Sequence, residues 1–238
     1  MKKIIISSFI FVMAFTGVLY ANDIYITQVG DTLDLDITQD GADNKVGTST
    51  TDATLNGDGM TFSITQTGSY NTIAAVIKGS TYTGTWAFTG SSNTVDMDCS
   101  SAAAGSCDTV TLNITNTGDS NSYEFDIGEV GDADNAVINF TTTGDNNIIN
   151  TTIDGQSAAL TVVMNNSASL ATTSAASNEG NAITTTQTGN GDSVGHTIAL
   201  DVTGGGGTID ITQSGVNDNI VDLTLDGDSF DVDIIQQD

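Results

Sequence analysis

The sequence predicts an all-β protein, a β-solenoid (β-helix) of about nine rungs with two strands in each rung. Three observations predict this fold: a strand-and-turn segment that recurs along the chain, a regular spacing of its turn residues, and the absence of proline, which would interrupt a strand ladder. The clearest copy is Met60–Asn71, in which Phe62, Ile64 and Gln66 take alternate positions and share one face of a strand. Strands of this length are unstable alone, so the copies must stack on one another.

Turn residues, mostly glycines, mark the rungs and fall into two columns. Gly57 and Gly79 of one column each stand 11 residues before Gly68 and Gly90 of the other, so a strand with its turn takes 11 residues and a rung takes about 22. Longer spacings are insertions, such as segments 99–107 and 167–181. The first column comprises Gly41, Gly68, Gly90, Gly118, Gly144, Ala168, Gly189 and Gly215. The second comprises Gly30, Gly57, Gly79, Gly204 and Gly227, and also Gly128 and Gly155 with longer gaps.

Counting back by twos from each first-column turn gives an inward face that is mainly apolar and usually ends in an amide. An identical amide one rung away satisfies a buried amide and opposes slippage of the strands, so a structural ladder is predicted. The ladder residues are Gln39, Gln66, Asn116, Asn166, Gln187, Gln213 and Gln236. The same count places Ile64, Leu112, Ile138, Ile211 and Ile234 in one inward column.

The turns are predicted to share one construction. Glycine supplies a positive φ at the corner, and the asparagine that follows tolerates left-handed backbone and closes the turn. The turn residues are Gly41, Asn44, Gly68, Asn71, Gly118, Asn121, Gly144, Asn147, Gly189 and Gly215. We interpret both the ladder and the turns as structural rather than as a binding site.

The start of the chain predicts export. Lys2 and Lys3 precede an apolar run from Ile4 to about Val18, and Leu19-Tyr20-Ala21 follows, as in a secretory signal peptide cleaved after Ala21; a membrane anchor is the alternative. Cleavage would leave one domain, residues 22–238, secreted or at the cell surface. With only Lys45 and Lys78 against 30 acidic residues, the formal charge of that domain is 2 − 30 = −28. Nothing can neutralise phosphates, which excludes nucleic acid as a partner.

Few residues in the chain suggest chemistry. Cys99 and Cys107 are predicted to form a disulfide, with two free thiols as the alternative. His196 is the only histidine, and no catalytic residues or enzyme activity are predicted. The patterned carboxylates leave open a solubilising surface or bound Ca²⁺; no other cofactor and no discrete metal site are predicted. Thr-x-Thr triplets suggest ice binding, but by this count they do not recur at one position of the rung.

The pattern Gln66-x-Gly68-x-x-Asn71-x-Ile73-x-x-x-Ile77 resembles the curlin repeat, Gln-x-Gly-x-x-Asn-x-Ala-x-x-x-Gln. The resemblance covers about Ile24–Ile77 and Ile183–Asp238 and is thin between them. Two departures are the aliphatic Ile77 at the last glutamine of the repeat and Phe88 at the first glutamine of the third copy.

Curlins are secreted bacterial proteins that polymerise into curli, the functional amyloid fibres of the biofilm matrix. The resemblance implies a structural protein for surface adhesion whose main partner is itself, joined through its end rungs. It also implies a nucleator and an outer-membrane secretion pore as partners. The alternative function is a monomeric β-solenoid adhesin or receptor-binding module, with or without stabilisation by Ca²⁺.

Overall fold

The computed structural model describes residues 23–48, 50, 52–99, 109–127, 135–144, 146–154, 159–165, 170–176, 182–188, 196–203, 207–215 and 219–237. The predicted signal peptide and Cys107 lie outside these residues, so both stay predictions. The described part of the chain contains twenty β-strands: β1 Asp23–Ile24, β2 Thr27–Val29, β3 Asp34–Asp40, β4 Lys45–Val46, β5 Ala53–Asn56, β6 Met60–Thr67, β7 Thr72–Lys78, β8 Tyr82–Thr89, β9 Thr94–Cys99, β10 Val110–Thr117, β11 Ser122–Ile127, β12 Val137–Thr143, β13 Ile148–Asp154, β14 Ala159–Asn165, β15 Leu170–Ala176, β16 Ala182–Thr188, β17 His196–Thr203, β18 Thr208–Ser214, β19 Asn219–Asp226 and β20 Asp231–Gln237.

The strands form two parallel sheets that the chain visits alternately. The front sheet, as we call it, has the order β3-β6-β8-β10-β12-β14-β16-β18-β20, and the back sheet runs β1-β4-β7-β9-β11-β13-β15-β17-β19. Each strand therefore pairs with a strand of the same sheet one level earlier and one level later, as a coil of stacked rungs requires. This topology confirms the predicted all-β solenoid.

The rungs are less uniform than predicted at the start of the back sheet. There, the short strands β2 and β5 pair with each other beside β1 and β4, and β7 pairs with both β4 and β5. Gly47, with φ of 70°, bends the chain between β4 and β5, and its N–H donates to the carbonyl of Ile24 at 2.8 Å. These two levels therefore depart from the predicted two strands in each rung.

The core lies between the two sheets and consists of the alternate side chains of both. Phe62, Trp86 and Phe140 fill it from the front sheet, and Tyr123 and Phe125 fill it from the back sheet. The Tyr123 and Phe140 rings meet edge to face with centroids 4.7 Å apart, and Trp86 Nε1 donates to the carbonyl of Phe62 at 3.2 Å. The aromatic side chains of the middle levels thus replace the smaller aliphatic residues that fill the core toward the ends.

The register divides the predicted inward column in two. Ile64 aligns with Trp86 and Ile114 of the next two levels, whereas Leu112 aligns with Gly84, one column earlier. The reason is the distance to the turn: Ile64 stands four residues before Gly68, and Leu112 stands six before Gly118. Ile211 and Ile234 belong to the column of Ile64, and Ile138 belongs to that of Leu112. The prediction of a single column was wrong.

Candidate functional site: stacked side-chain ladders

The predicted glutamine ladder exists as two separate runs in the front sheet. In the first, Gln66 Nε2 donates to Gln39 Oε1 at 2.7 Å. In the second, Gln213 donates to Gln187 at 2.7 Å and Gln236 donates to Gln213 at 2.8 Å, again between side-chain amides. Each bond joins identical groups on adjacent levels, so slipping one strand by a residue would break it and turn the amide to the other face.

Other side chains occupy this column between the two runs. Phe88 aligns with Gln66 on one side and Asn116 on the other, and Asn116 Nδ2 donates to Thr142 Oγ1 at 2.9 Å. Met164 takes the next level, where the thioether sulfur lies 3.7 Å from Gln187 Nε2. The predicted ladder residue Asn166 lies outside the described residues, and the register gives its level to Met164 instead.

A second ladder, formed by the turn asparagines, is longer than the glutamine runs and is continuous over five levels. In each step the backbone N–H of one asparagine donates to the side-chain Oδ1 of the next, with distances of 3.2, 3.0, 2.7 and 3.1 Å. Each Nδ2 also donates to the carbonyl of the turn glycine three residues earlier, at 2.9 to 3.1 Å. The members are Asn44, Asn71, Asn93, Asn121 and Asn147, all of them buried.

The role predicted for these asparagines was therefore wrong in one respect. The left-handed backbone belongs to the residue before the asparagine, for example Tyr70 with φ of 63° before Asn71 and Ser92 with φ of 62° before Asn93. This arrangement frees the asparagine to point inward and bond both its own turn and the neighbouring level. Sequence reasoning missed Asn93 because Phe88 replaces the glutamine that marks the other copies, although Gly90-x-x-Asn93 carried the signal.

The turn glycines are required by conformation, and Gly68, Gly90, Gly118 and Gly144 are required by space as well. Gly41, Gly68, Gly90, Gly118 and Gly144 have φ between 124° and 145°, which side chains rarely permit. A Cβ at Gly68 would also collide with the carbonyl oxygen of Gly41, one level earlier. Gly215 donates its N–H to the carbonyl of Gln237 at 3.1 Å, and Gly189 lies outside the described residues.

The back sheet carries a patch of carboxylates on its outer face. Asp96 and Asp98 of β9 align with Glu124 and Asp126 of β11. The pKa of Asp96 is raised above its ordinary value, chiefly by partial desolvation and to a smaller extent by repulsion from Asp52, Asp126 and Asp98. Desolvation and the neighbouring carboxylates raise the pKa of Glu124 in the same way. The stacking of like charges across adjacent strands therefore opposes the folded state at neutral pH.

We expect acidification from pH 7 to about pH 5 to raise the thermal midpoint, because groups whose pKa is raised by folding bind protons more tightly in the folded state. Asp58 acts in the opposite direction, because a backbone hydrogen bond from Ser80 lowers the pKa of this carboxylate. The contribution of ionised Asp58 to the stability of the fold is lost only at more acidic pH. In Asp96→Asn the rise should be smaller. Asp34→Asn, which removes one charge from the front sheet, should keep the full rise. An equal rise in both variants, measured by circular dichroism, would contradict this account.

The last level leaves core side chains partly uncovered. Ile234 of β20 is 46% exposed and Leu225 of β19 is 36% exposed, although both occupy columns that are filled by buried residues at earlier levels. At the first level, Leu35 and Ile24 are also only partly buried against the core. Within the described residues, apolar surface is therefore available at both ends of the coil.

The remaining predictions concern catalysis, metals and membranes. His196 begins β17, but its side chain lies outside what the structure describes. Within the described ranges, no three His, Cys, Asp or Glu side chains come close enough together to hold a metal ion. None of the described residues belongs to a helix with the length and hydropathy needed to cross a membrane. Cys99 is fully buried on the inward face at the end of β9, and its predicted bond to Cys107 stays a prediction.

Comparisons with known proteins give no relative for this chain. No protein-family model, no curated protein and no solved structure matches it.

Proposed function

We propose that the chain is a secreted, curlin-like structural protein that assembles end to end into extracellular fibres for adhesion within a biofilm matrix. The observation that carries the proposal is the match between the first and last levels of the front sheet. Gln39 heads the column that ends with Gln236, and Ile37 heads the column that ends with Ile234. The described residues thus offer the same pattern of side chains at both ends.

A second copy placed beyond the last level would continue the inward columns of the front sheet. Its Leu35, Ile37 and Gln39 would stack on Val232, Ile234 and Gln236, repeating contacts that already occur between levels inside the coil. The partly exposed Ile234 would become buried, and the Gln236 amide would face another glutamine. Edge strands recruit further strands in this way, because their backbone groups and apolar side chains find the same partners again.

Charge opposes this junction. Asp231 and Asp233 share outer columns with Asp34 and Asp36, so joining two copies would stack carboxylates about 4.8 Å apart, the usual distance between strands. The full chain carries a formal charge of −26 besides. Salt screens such repulsion over about 8 Å at physiological ionic strength, and divalent cations neutralise it directly.

We expect the protein without residues 1–21 to stay largely monomeric in dilute buffer and to form thioflavin-positive fibres when NaCl or Ca²⁺ is added. Electron microscopy and a fibre reflection near 4.8 Å should accompany this growth. The double variant Asp231→Asn with Asp233→Asn should assemble faster than the wild type in dilute buffer, since it removes charge at the junction. Ile234→Lys should block addition at the last level without unfolding the levels before it.

The matched control is Asp96→Asn with Asp98→Asn, which removes the same charge from the back sheet away from the ends. Equal acceleration by both double variants would show that overall charge, rather than the junction, controls growth. A wild type that stays monomeric by light scattering for days, in salt with Ca²⁺ and at high concentration, would overturn the fibre proposal. The monomeric binding module would then be the better description.

A further inference from the structure

The outer face of the front sheet is uncharged over six consecutive levels. None of the residues in β6, β8, β10, β12, β14 and β16 is Asp, Glu, Lys, Arg or His. Acidic residues return toward the ends, with Asp34, Asp36 and Asp40 in β3, Asp210 in β18, and Asp231 and Asp233 in β20. In a chain with 30 acidic residues, whose back sheet carries the Asp96 patch on its outer face, this neutral face is a distinct surface.

Threonine dominates this neutral face. It occupies 15 of the 24 outward positions of the six strands, and the others are serine, asparagine, alanine and valine. The position directly before the turn holds Thr67, Thr89, Thr117, Thr143, Asn165 and Thr188 on successive levels. The position two residues earlier holds Thr65, Ala87, Thr115, Thr141, Val163 and Thr186.

Thr-x-Thr triplets therefore recur at one position of the rung, contrary to the count along the sequence. Their position is fixed by the turn glycine that follows, for instance Gly68 after Thr67 and Gly118 after Thr117. Insertions elsewhere in the rung change the spacing between triplets in the sequence but not their register in the sheet. Four levels carry the complete pair: Thr65 with Thr67, Thr115 with Thr117, Thr141 with Thr143, and Thr186 with Thr188.

The array has two regular repeats. Levels follow each other about every 4.8 Å, and the two threonines of a triplet lie about 6.7 Å apart along an extended strand. Threonine is β-branched and therefore stiff, and the strands rest on a fully buried core that includes Ile64, Ile114 and Phe140. Each threonine presents a hydroxyl and a methyl, and the hydroxyl can bond water, although that of Thr188 donates to Asn165 Oδ1 at 3.2 Å. Such a rigid grid can order water in two dimensions before any partner arrives.

We propose that this threonine face binds ice. The prism face of hexagonal ice is a neutral grid of water molecules with repeats close to those of the array, and it offers a donor or acceptor to every hydroxyl. Preorganised groups lose little freedom on binding, which favours adsorption to a rigid lattice. The proposal does not depend on fibre formation, because one copy presents the whole face.

Two other partners fit the face less well. Crystalline polysaccharides are normally recognised by rows of exposed aromatic rings, and the 24 outward positions hold none. A second copy would bring another chain of charge −26 alongside. Ice carries no such charge.

The test is ice-recrystallisation inhibition by the purified protein without residues 1–21, in dilute buffer where charge opposes assembly. We expect the wild type to slow the growth of ice crystals, and the double variant Thr115→Lys with Thr141→Lys to lose most of that effect. These two residues are neighbours on adjacent levels. The matched control, Thr72→Lys with Thr94→Lys, changes two aligned residues of the back sheet by the same charge and should keep the effect.

Circular dichroism must show β-structure in all three proteins before the comparison is made. The proposal would be overturned if ice crystals grew as fast with the folded wild type as with an equal mass of serum albumin. Equal losses in the two double variants would overturn it as well. A wild type that does not affect ice growth could instead bind crystalline cellulose or dimerise in dilute buffer. If the Thr115 and Thr141 substitutions abolished that binding or that dimerisation, the face would be assigned to cellulose or to a second copy.

Discussion

Replacing Ile114 by Asp will unfold the middle levels of the solenoid. The Ile114 side chain is 2% exposed and is aligned with Trp86 on one side and Phe140 on the other. An aspartate there would be a buried charge without a partner, which costs about 3–5 kcal/mol or more, a large part of the stability of most domains. Each level is stabilised mainly by its neighbours, so the loss should spread along the coil. Circular dichroism and limited proteolysis would detect it.

The matched control is Thr115→Asp, which adds the same charge one residue later on the same strand. Thr115 points outward from the front sheet and is exposed. This variant should lose less than about 1 kcal/mol, the usual range for surface substitutions. If the two variants had equal stability in urea, the assignment of inward and outward faces to β10 would be wrong.

Replacing Asn121 by Ala will destabilise the protein more than its small change in volume suggests. Asn121 Oδ1 accepts the backbone N–H of Asn93 at 2.7 Å, and its Nδ2 donates to the carbonyl of Gly118 and to Asn147 Oδ1, both at 2.9 Å. The substitution leaves these groups without their partner in a site that excludes water. Each unsatisfied buried group costs about 1–3 kcal/mol, so we expect a total loss of several kcal/mol in urea denaturation.

Asn113→Ala provides the comparison, because Asn113 also belongs to a side-chain pair between levels but an exposed one. Its Oδ1 accepts from Asn139 Nδ2 at 2.9 Å on the outer face of the front sheet. Water replaces that bond, so the loss should stay within about 1 kcal/mol. Similar losses for Asn121→Ala and Asn113→Ala would contradict a structural role for the asparagine ladder.

The sequence predicted the fold because its periodicity is local. Alternation along Phe62, Ile64 and Gln66 separates the two faces of a strand, and the following glycine marks its end, so the faces of the front sheet could be assigned without coordinates. The glutamine runs were predicted on the same basis. Alignment between levels was harder to predict. The single column containing Ile64 and Leu112 was wrong because their distances to the turn glycine differ. The threonine columns were missed because insertions elsewhere in the rung change the spacing of the triplets along the sequence.

Other features depend on contacts that no local pattern contains. Asp52 reaches the Asp96 patch from the segment between β4 and β5, and nothing in its own neighbourhood of the sequence indicates that contact. The left-handed positions were placed on the wrong residue because asparagine tolerates that conformation readily, whereas Tyr70 and Ser92 actually adopt it. In these turns, the gain from burying an asparagine that bonds two levels outweighs the conformational preference of a single residue.

The asparagine ladder also gives the molecule a direction. Every step runs the same way, from the backbone N–H of one asparagine to the side-chain oxygen of the next, and Asn44 Oδ1 at the start is a buried oxygen without a donor in the described part of the chain. The two sides of each level in the ladder are therefore chemically different: Asn71, for example, accepts through its side-chain oxygen from the earlier level and donates its backbone N–H to the later one. A two-fold dimer would bring like ends together, whereas a head-to-tail contact leaves a free end at each addition. Any filament of this protein would be polar, with two ends that grow at different rates.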